Sequence, residues 1–121
     1  MKAGLLGLGK GIDTFRPLGP WIVTTDEIPN PQNLAMELRA NGDLQNSRSS
    51  LVNIPEILSR YSPMGYRAGD IVSVSTASGA SALSADTKAR HLKVGDMMEC
   101  EIEGIGILRN RVISWEEAYG Q

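Results

Sequence analysis

Pro17, Pro20, Pro29 and Pro31 crowd into one short stretch near the start of the chain. Each removes a backbone donor and pushes its preceding residue toward extended backbone, so no helix can run between Phe15 and Gln32. The rest of the chain is punctuated as well. Thirteen glycines and six prolines in 121 residues leave little room for long helices and favour short strands joined by turns. A chain of this length, 41% hydrophobic, is enough for one domain and too little for two ordinary ones.

Between these breaks the residue pattern predicts particular elements. The β-branched run Trp21-Ile22-Val23-Thr24-Thr25 reads as a strand. Leu34 to Ala40 alternates apolar and polar residues for much of its length, and Asn41-Gly42 follows. That dipeptide predicts a type I′ turn with Asp43 to Arg48 returning as the partner strand. One helix is expected between Asn53 and Tyr61, because Ile54, Ile57, Leu58 and Tyr61 share a face. Asn53 can cap it, Pro55 suits its first turn, and Pro63 helps to stop it. Two echoing segments follow, Arg67-Ala68-Gly69-Asp70 before Ile71 to Val74 and Lys93-Val94-Gly95-Asp96 before Met97 to Glu103; in each a Gly-Asp turn is expected to launch a strand. In the second strand Met98, Cys100 and Ile102 fall on one face and Glu99, Glu101 and Glu103 on the other. The run from Ile107 to Ile113 is expected to pair back on it. The fold class is therefore a β-rich α+β domain with one short helix.

Charge and composition exclude several functions. Twelve Lys and Arg against fourteen Asp and Glu leave a net charge of -2, which offers no footprint for nucleic acid. No apolar run approaches the roughly 20 residues that cross a bilayer. The single cysteine, Cys100, forms no internal disulfide, and no secretory leader is visible, so a cytoplasmic location is expected. Alternation places Cys100 among apolar neighbours as a buried thiol. His91, the sole histidine, cannot contribute to a Cys/His zinc cluster and reads as a solvated loop residue.

The stretch Gly9-Lys10-Gly11-Ile12-Asp13-Thr14-Phe15, followed by Pro17-Leu18-Gly19-Pro20-Trp21, resembles the substrate loop of the fumarylacetoacetate hydrolase (FAH) family. The resemblance continues in order through Asn41-Gly42-Asp43, Leu58-Ser59, Gly69-Asp70-Ile71-Val72, Lys93-Val94-Gly95-Asp96 and Glu101-Ile102-Glu103-Gly104-Ile105-Gly106, and so covers nearly the whole chain. It implies a rolled mixed β-sheet of the FAH C-terminal-domain type, usually dimeric. It also implies cleavage, decarboxylation, hydration or tautomerisation of small 2-oxo and 2,4-dioxo acids with a divalent metal, Mg or Mn. A cation chelated by the 2-oxo acid stabilises the enolate that forms as a C–C bond breaks or a proton moves. By this resemblance Lys10 matches the catalytic lysine that reaches toward metal and substrate oxygens. Thr14 matches a position beside the metal and substrate, and Thr76 the threonine that hydrogen-bonds the substrate carboxylate.

The sequence also departs from the family pattern. The family's metal carboxylates lie upstream of the lysine loop, and this sequence begins nine residues before Lys10. The expectation is a single partial domain over residues 1–121 that lacks the metal-carboxylate segment and holds no metal ligand of its own. Glu99, Glu101 and Glu103 read as a solvated strand edge instead of a replacement site. Around Thr76 the usual Gly and Pro neighbours are Ser75 and Ala77. Three functions follow: a half-enzyme completed by a homo-oligomer or by a second polypeptide carrying the carboxylates, a non-catalytic binding or assembly module, or an inactive truncated remnant.

Overall fold

A computed structural model describes residues 11–49, 53–73 and 91–120. Its centre is one four-stranded sheet in the order β2-β1-β3-β4, formed by β1 (Ala35–Ala40), β2 (Asp43–Ser49), β3 (Met97–Ile102) and β4 (Gly106–Arg111). Every pairing among these strands is antiparallel.

The β1–β2 hairpin forms as expected. Asn41 at φ +52° and Gly42 at φ +87° supply the two left-handed residues that a type I′ turn requires. The pairing register shifts between Leu38 and Arg39, so that Leu38 faces Asn46 while Arg39 faces Leu44. Asn41 also fastens the turn to β3. Its side chain donates to Asp96 (2.9 Å) and accepts from the Met97 amide (2.8 Å), and its own amide donates to the Met97 carbonyl (2.9 Å).

The two Gly-Asp segments fold into the same turn. Asp70 accepts from the Arg67 amide (2.8 Å) and Asp96 from the Lys93 amide (2.7 Å), while Gly69 and Gly95 stand at φ +97° and +98°. Only the second launches a strand among the described residues. Residues 71–73 are irregular, and Val74 lies outside those described. Helix α1 (Ile54–Tyr61) is capped by Asn53, whose side chain accepts from the Glu56 amide, and its end passes into a 3-10 turn at Ser62–Met64. A second short helix, α2 (Trp115–Tyr119), follows β4.

The strand expected over residues 21–25 does not form. The segment is irregular and closes in a turn where Glu27 and Ile28 donate to the Thr24 carbonyl (3.1 Å each). It lies against the sheet instead of extending it. A side chain at Gly19 would meet Leu108, one at Gly106 would meet the Trp21 ring, and one at Gly104 would meet Ile28. β-branched composition reports fitness for a pleated, half-buried surface, and here the segment packs its side chains onto β4 without pairing with that strand's edge.

Register assigns the two faces of the sheet. Met36 opposes Ile102, Leu38 opposes Cys100 and Cys100 opposes Leu108, which makes one face apolar. Arg39 opposes Glu99, and Glu99 opposes Arg109, on the charged face. None of the described residues is fully buried. The apolar face is roofed on its β4 side by residues 19–21 and carries no second layer of secondary structure among the described residues.

Candidate functional site

Of the three residues matched to the family's chemistry, Thr14 is described; Lys10 and Thr76 lie outside the described residues. Thr14 adopts φ +67°, a left-handed conformation that is an outlier for a β-branched side chain. The turn is held locally. The Asp13 carboxylate accepts from the Thr14 amide (2.9 Å), and the Phe15 amide donates to the Ile12 carbonyl (3.2 Å). Such strain, of order 1–3 kcal/mol, concentrates at functional sites and persists where the surroundings over-determine it.

Two clefts meet at this turn. The larger, about 490 Å³, lies between Thr14 and Phe15 on one side and the sheet residues Met98 and Asn110, with Val112 just beyond β4, on the other. The smaller, about 200 Å³, separates Ile12, Thr14 and Phe15 from Ile113, Trp115 and Tyr119. Thr14, Phe15 and Ile113 border both. Met98 and Asn110 are directly opposed across β3 and β4, so the end of the sheet's apolar face forms the floor of the larger cleft. Sequence reading missed Phe15, Asn110 and Ile113 here. The alternation of β4 carried part of the signal, but its meeting with a turn nearly a hundred residues upstream is tertiary.

The β3 glutamates do not form a metal centre. Glu99 is paired with Arg109, and the Glu103 carboxylate accepts from the Ala35 amide (3.0 Å). No three His, Cys, Asp or Glu side chains gather around a common point among the described residues. The available donors therefore do not fit a divalent ion. The solvated-edge reading of these residues also needs correction: β3 lies inside the sheet, between β1 and β4, and the Glu99 charge is balanced by an opposed arginine. Cys100 differs from expectation too. The residue is exposed, although partial shielding by its neighbours pushes the thiol above its ordinary range. His91 is exposed, as expected for a loop residue. No helix among the described residues is long and apolar enough to cross a membrane.

A β-rich sheet with two short capped helices, and a strained Thr14 turn lying against its apolar end, define the C-terminal architecture that the sequence resembled. The family model for the fumarylacetoacetate (FAA) hydrolase C-terminal domain matches residues 1–113, and the chain belongs to this family. It is 37% identical over 120 residues to a 2,4-didehydro-3-deoxy-L-rhamnonate hydrolase of Sphingomonas sp. (strain SKA58), an alignment covering 93% of this chain and 42% of the relative. A fumarylacetoacetate hydrolase from the psychrophile Exiguobacterium antarcticum superimposes with a TM-score of 0.81 at 36% identity, over 88% of this chain and 39% of that one. A maleylpyruvate hydrolase from Sphingobium sp. SYK-6, in complex with manganese(II) and pyruvate, matches with a TM-score of 0.71 at 28% identity, over 84% and 36%. The chain thus spans about two fifths of the length of these proteins.

Proposed function

We propose that this chain contributes the lysine–threonine side of an enzyme site for 2-oxo or 2,4-dioxo acids. In this reading the site is completed by a second polypeptide, outside residues 1–121, that carries the metal carboxylates, whatever homo-oligomer the chain itself forms. The observation that carries the reading is the 37% identity to a hydrolase across 93% of the chain. The manganese–pyruvate complex of a structural relative supports a 2-oxo acid as ligand and a divalent ion in the site.

The described residues do not fit the ion, so the chain's own part is binding and orientation. The Lys10 ammonium offsets negative charge on the substrate oxygens, most where charge develops in the transition state. The Thr76 hydroxyl donates to the substrate carboxylate, and the Thr14 turn aims the loop that carries Lys10. Hydrolysis of a C–C bond, decarboxylation and keto–enol tautomerisation all use these contacts. A cytoplasmic setting fits the lone unpaired cysteine.

The test is native mass spectrometry of the tagged chain from its source cells, with turnover of acylpyruvates and oxaloacetate measured on the recovered species. A heteromer that holds a divalent ion, and whose kcat drops on the order of 10²–10³-fold with Lys10→Ala, is the expected result. Metal-free chains with no turnover would overturn the reading in favour of a binding or assembly module. Turnover by the chain alone, lost with Lys10→Ala, would overturn the partner half of it.

A further inference from the structure

Asn41-Gly42 is the single Asn-Gly pair in the sequence, and both residues are exposed to water. Such a pair carries a reaction of its own. The backbone nitrogen after an asparagine can attack the side-chain carboxamide carbon, and a glycine nitrogen is the least hindered because no Cβ stands beside it. A bond forms between the Gly42 nitrogen and Asn41 Cγ, the Cγ–Nδ2 bond breaks, and the Gly42 amide proton leaves with the side-chain nitrogen as ammonia. Water then opens the cyclic imide at one of its two carbonyls, leaving aspartate or isoaspartate. In this fold the reacting group is held at both ends. Asn41 Nδ2 donates to Asp96 (2.9 Å), and the side-chain oxygen accepts from the Met97 amide (2.8 Å). The Asn41 amide donates to the Met97 carbonyl (2.9 Å), so backbone and side chain are fastened to the same short segment.

We infer that Asn41 is a deamidation site gated by the β1–β3 contact: the reaction is slow while Asp96 and Met97 hold the carboxamide, and proceeds when that contact lets go. Attack comes onto the face of the carboxamide plane and expels Nδ2. The group must therefore turn toward Gly42 and give up its bond to Asp96, and local opening is the ordinary route by which a held group in a native protein becomes available. The product does not restore what was lost. An aspartate at this position still accepts from the Met97 amide, but it has no N–H for Asp96 and brings a second negative charge to the place where donor met acceptor at 2.9 Å. Isoaspartate routes the chain through its side chain and adds a backbone atom to the two-residue turn between Ala40 and Asp43, whose length fixes the hairpin register. The modification is a one-way loss of the bonds that tie the hairpin to β3, and it is independent of the function proposed above.

The test follows Asn41 by peptide mass, as the gain of OH over NH2, while the intact chain stands in mildly alkaline buffer. Wild type is compared with wild type unfolded in urea, with Asp96→Ala and with Gly106→Ala. Folded wild type is expected to deamidate at least about tenfold more slowly than the unfolded chain, and Asp96→Ala about fivefold faster than folded wild type. Gly106→Ala weakens the fold at the opposite end of the β3–β4 pair without touching Asn41, so its rate should match wild type. Equal rates in folded and unfolded wild type would overturn the inference, as would a folded Asp96→Ala chain no faster than wild type. So would a rate that rises in Gly106→Ala in step with the lost stability, since release would then require the whole fold to open. If Asp96→Ala does not fold, the urea and Gly106→Ala comparisons still decide. Asn41→Asp, which writes the product into the sequence, should lower the urea midpoint, and an unmoved midpoint would overturn the loss of the tie to β3.

Discussion

Gly106→Ala is expected to destabilise the chain by an amount that two local terms determine. Gly106 opens β4 at φ +119°, opposite Ile102, and an added Cβ would stand 3.3 Å from Trp21 Cζ2 and 3.6 Å from Pro20 Cγ. The conformational term is the larger. Positive φ of this kind is glycine territory, and forcing alanine into it costs of order 1–3 kcal/mol. Alanine's stiffer unfolded chain offsets only about 0.4–1 kcal/mol of that. The packing term is bounded by how much of Trp21 is covered. The residue is 64% exposed, so roughly 80 Å² lies against the chain, worth about 2 kcal/mol if all of it were lost. A ring this exposed can yield a few tenths of an ångström, so most of that area should survive. The net loss is therefore about 1–3 kcal/mol, or a fall of about 1 M in the urea midpoint followed by circular dichroism. Trp21→Ala separates the terms. In its background the ring is gone, and Gly106→Ala should cost only the backbone strain, leaving a coupling of about 0.5–1 kcal/mol between the two sites. A midpoint unmoved by Gly106→Ala would refute the backbone argument, and strict additivity in the double variant would refute the contact.

Two further perturbations have defined signs. Thr14→Gly relieves a left-handed residue at about 1–2 kcal/mol and restores chain entropy to the unfolded state at about 0.4–1, so a small rise in the thermal midpoint is expected; a clear fall would contradict the strain. Asp96 is held below its ordinary value of 3.8, first by the Asn41 carboxamide and then by the Lys93 amide. A carboxyl depressed in the folded state stabilises the fold above its unfolded value and loses that contribution as pH falls through the folded one. Stability should therefore decline below about pH 3.8, and Asn41→Ala should shallow that acid limb in a pH series of urea midpoints, while an identical limb in both proteins would contradict the assignment.

Much of the fold was legible where the deciding interactions are local. Asn41-Gly42 announced a turn because both residues tolerate positive φ, and Asn53 announced a helix start because its side chain reaches the Glu56 amide three residues on. The two Gly-Asp turns were legible for the same reason, since each aspartate bonds an amide three residues back. The Trp21 segment misled because its β-branched residues state a preference and no partner. Cys100 misled because alternation names a face without saying how much covers it. For the candidate site, the loop motif pointed to Thr14, but the clefts beside it are walled by Asn110, Ile113 and Trp115, whose approach to the turn depends on the whole sheet being assembled. Nothing local encodes that.

The carboxamide of Asn41 joins two events of very different tempo. The β1–β2 hairpin closes over a two-residue turn, whereas the bond from Asn41 to Asp96 closes a separation of 55 residues. Loop-closure entropy makes the second closure about 2 kcal/mol costlier than the first, so the hairpin can form and dissolve many times before β3 arrives. Asn41 waits in a conformation already set by the fast event and offers a donor and an acceptor to the slow one. The turn thereby acts as a preformed template for the sheet's long-range pairing, and the edge of β1 that it presents is the surface on which β3 condenses, with β4 paired on β3 in turn.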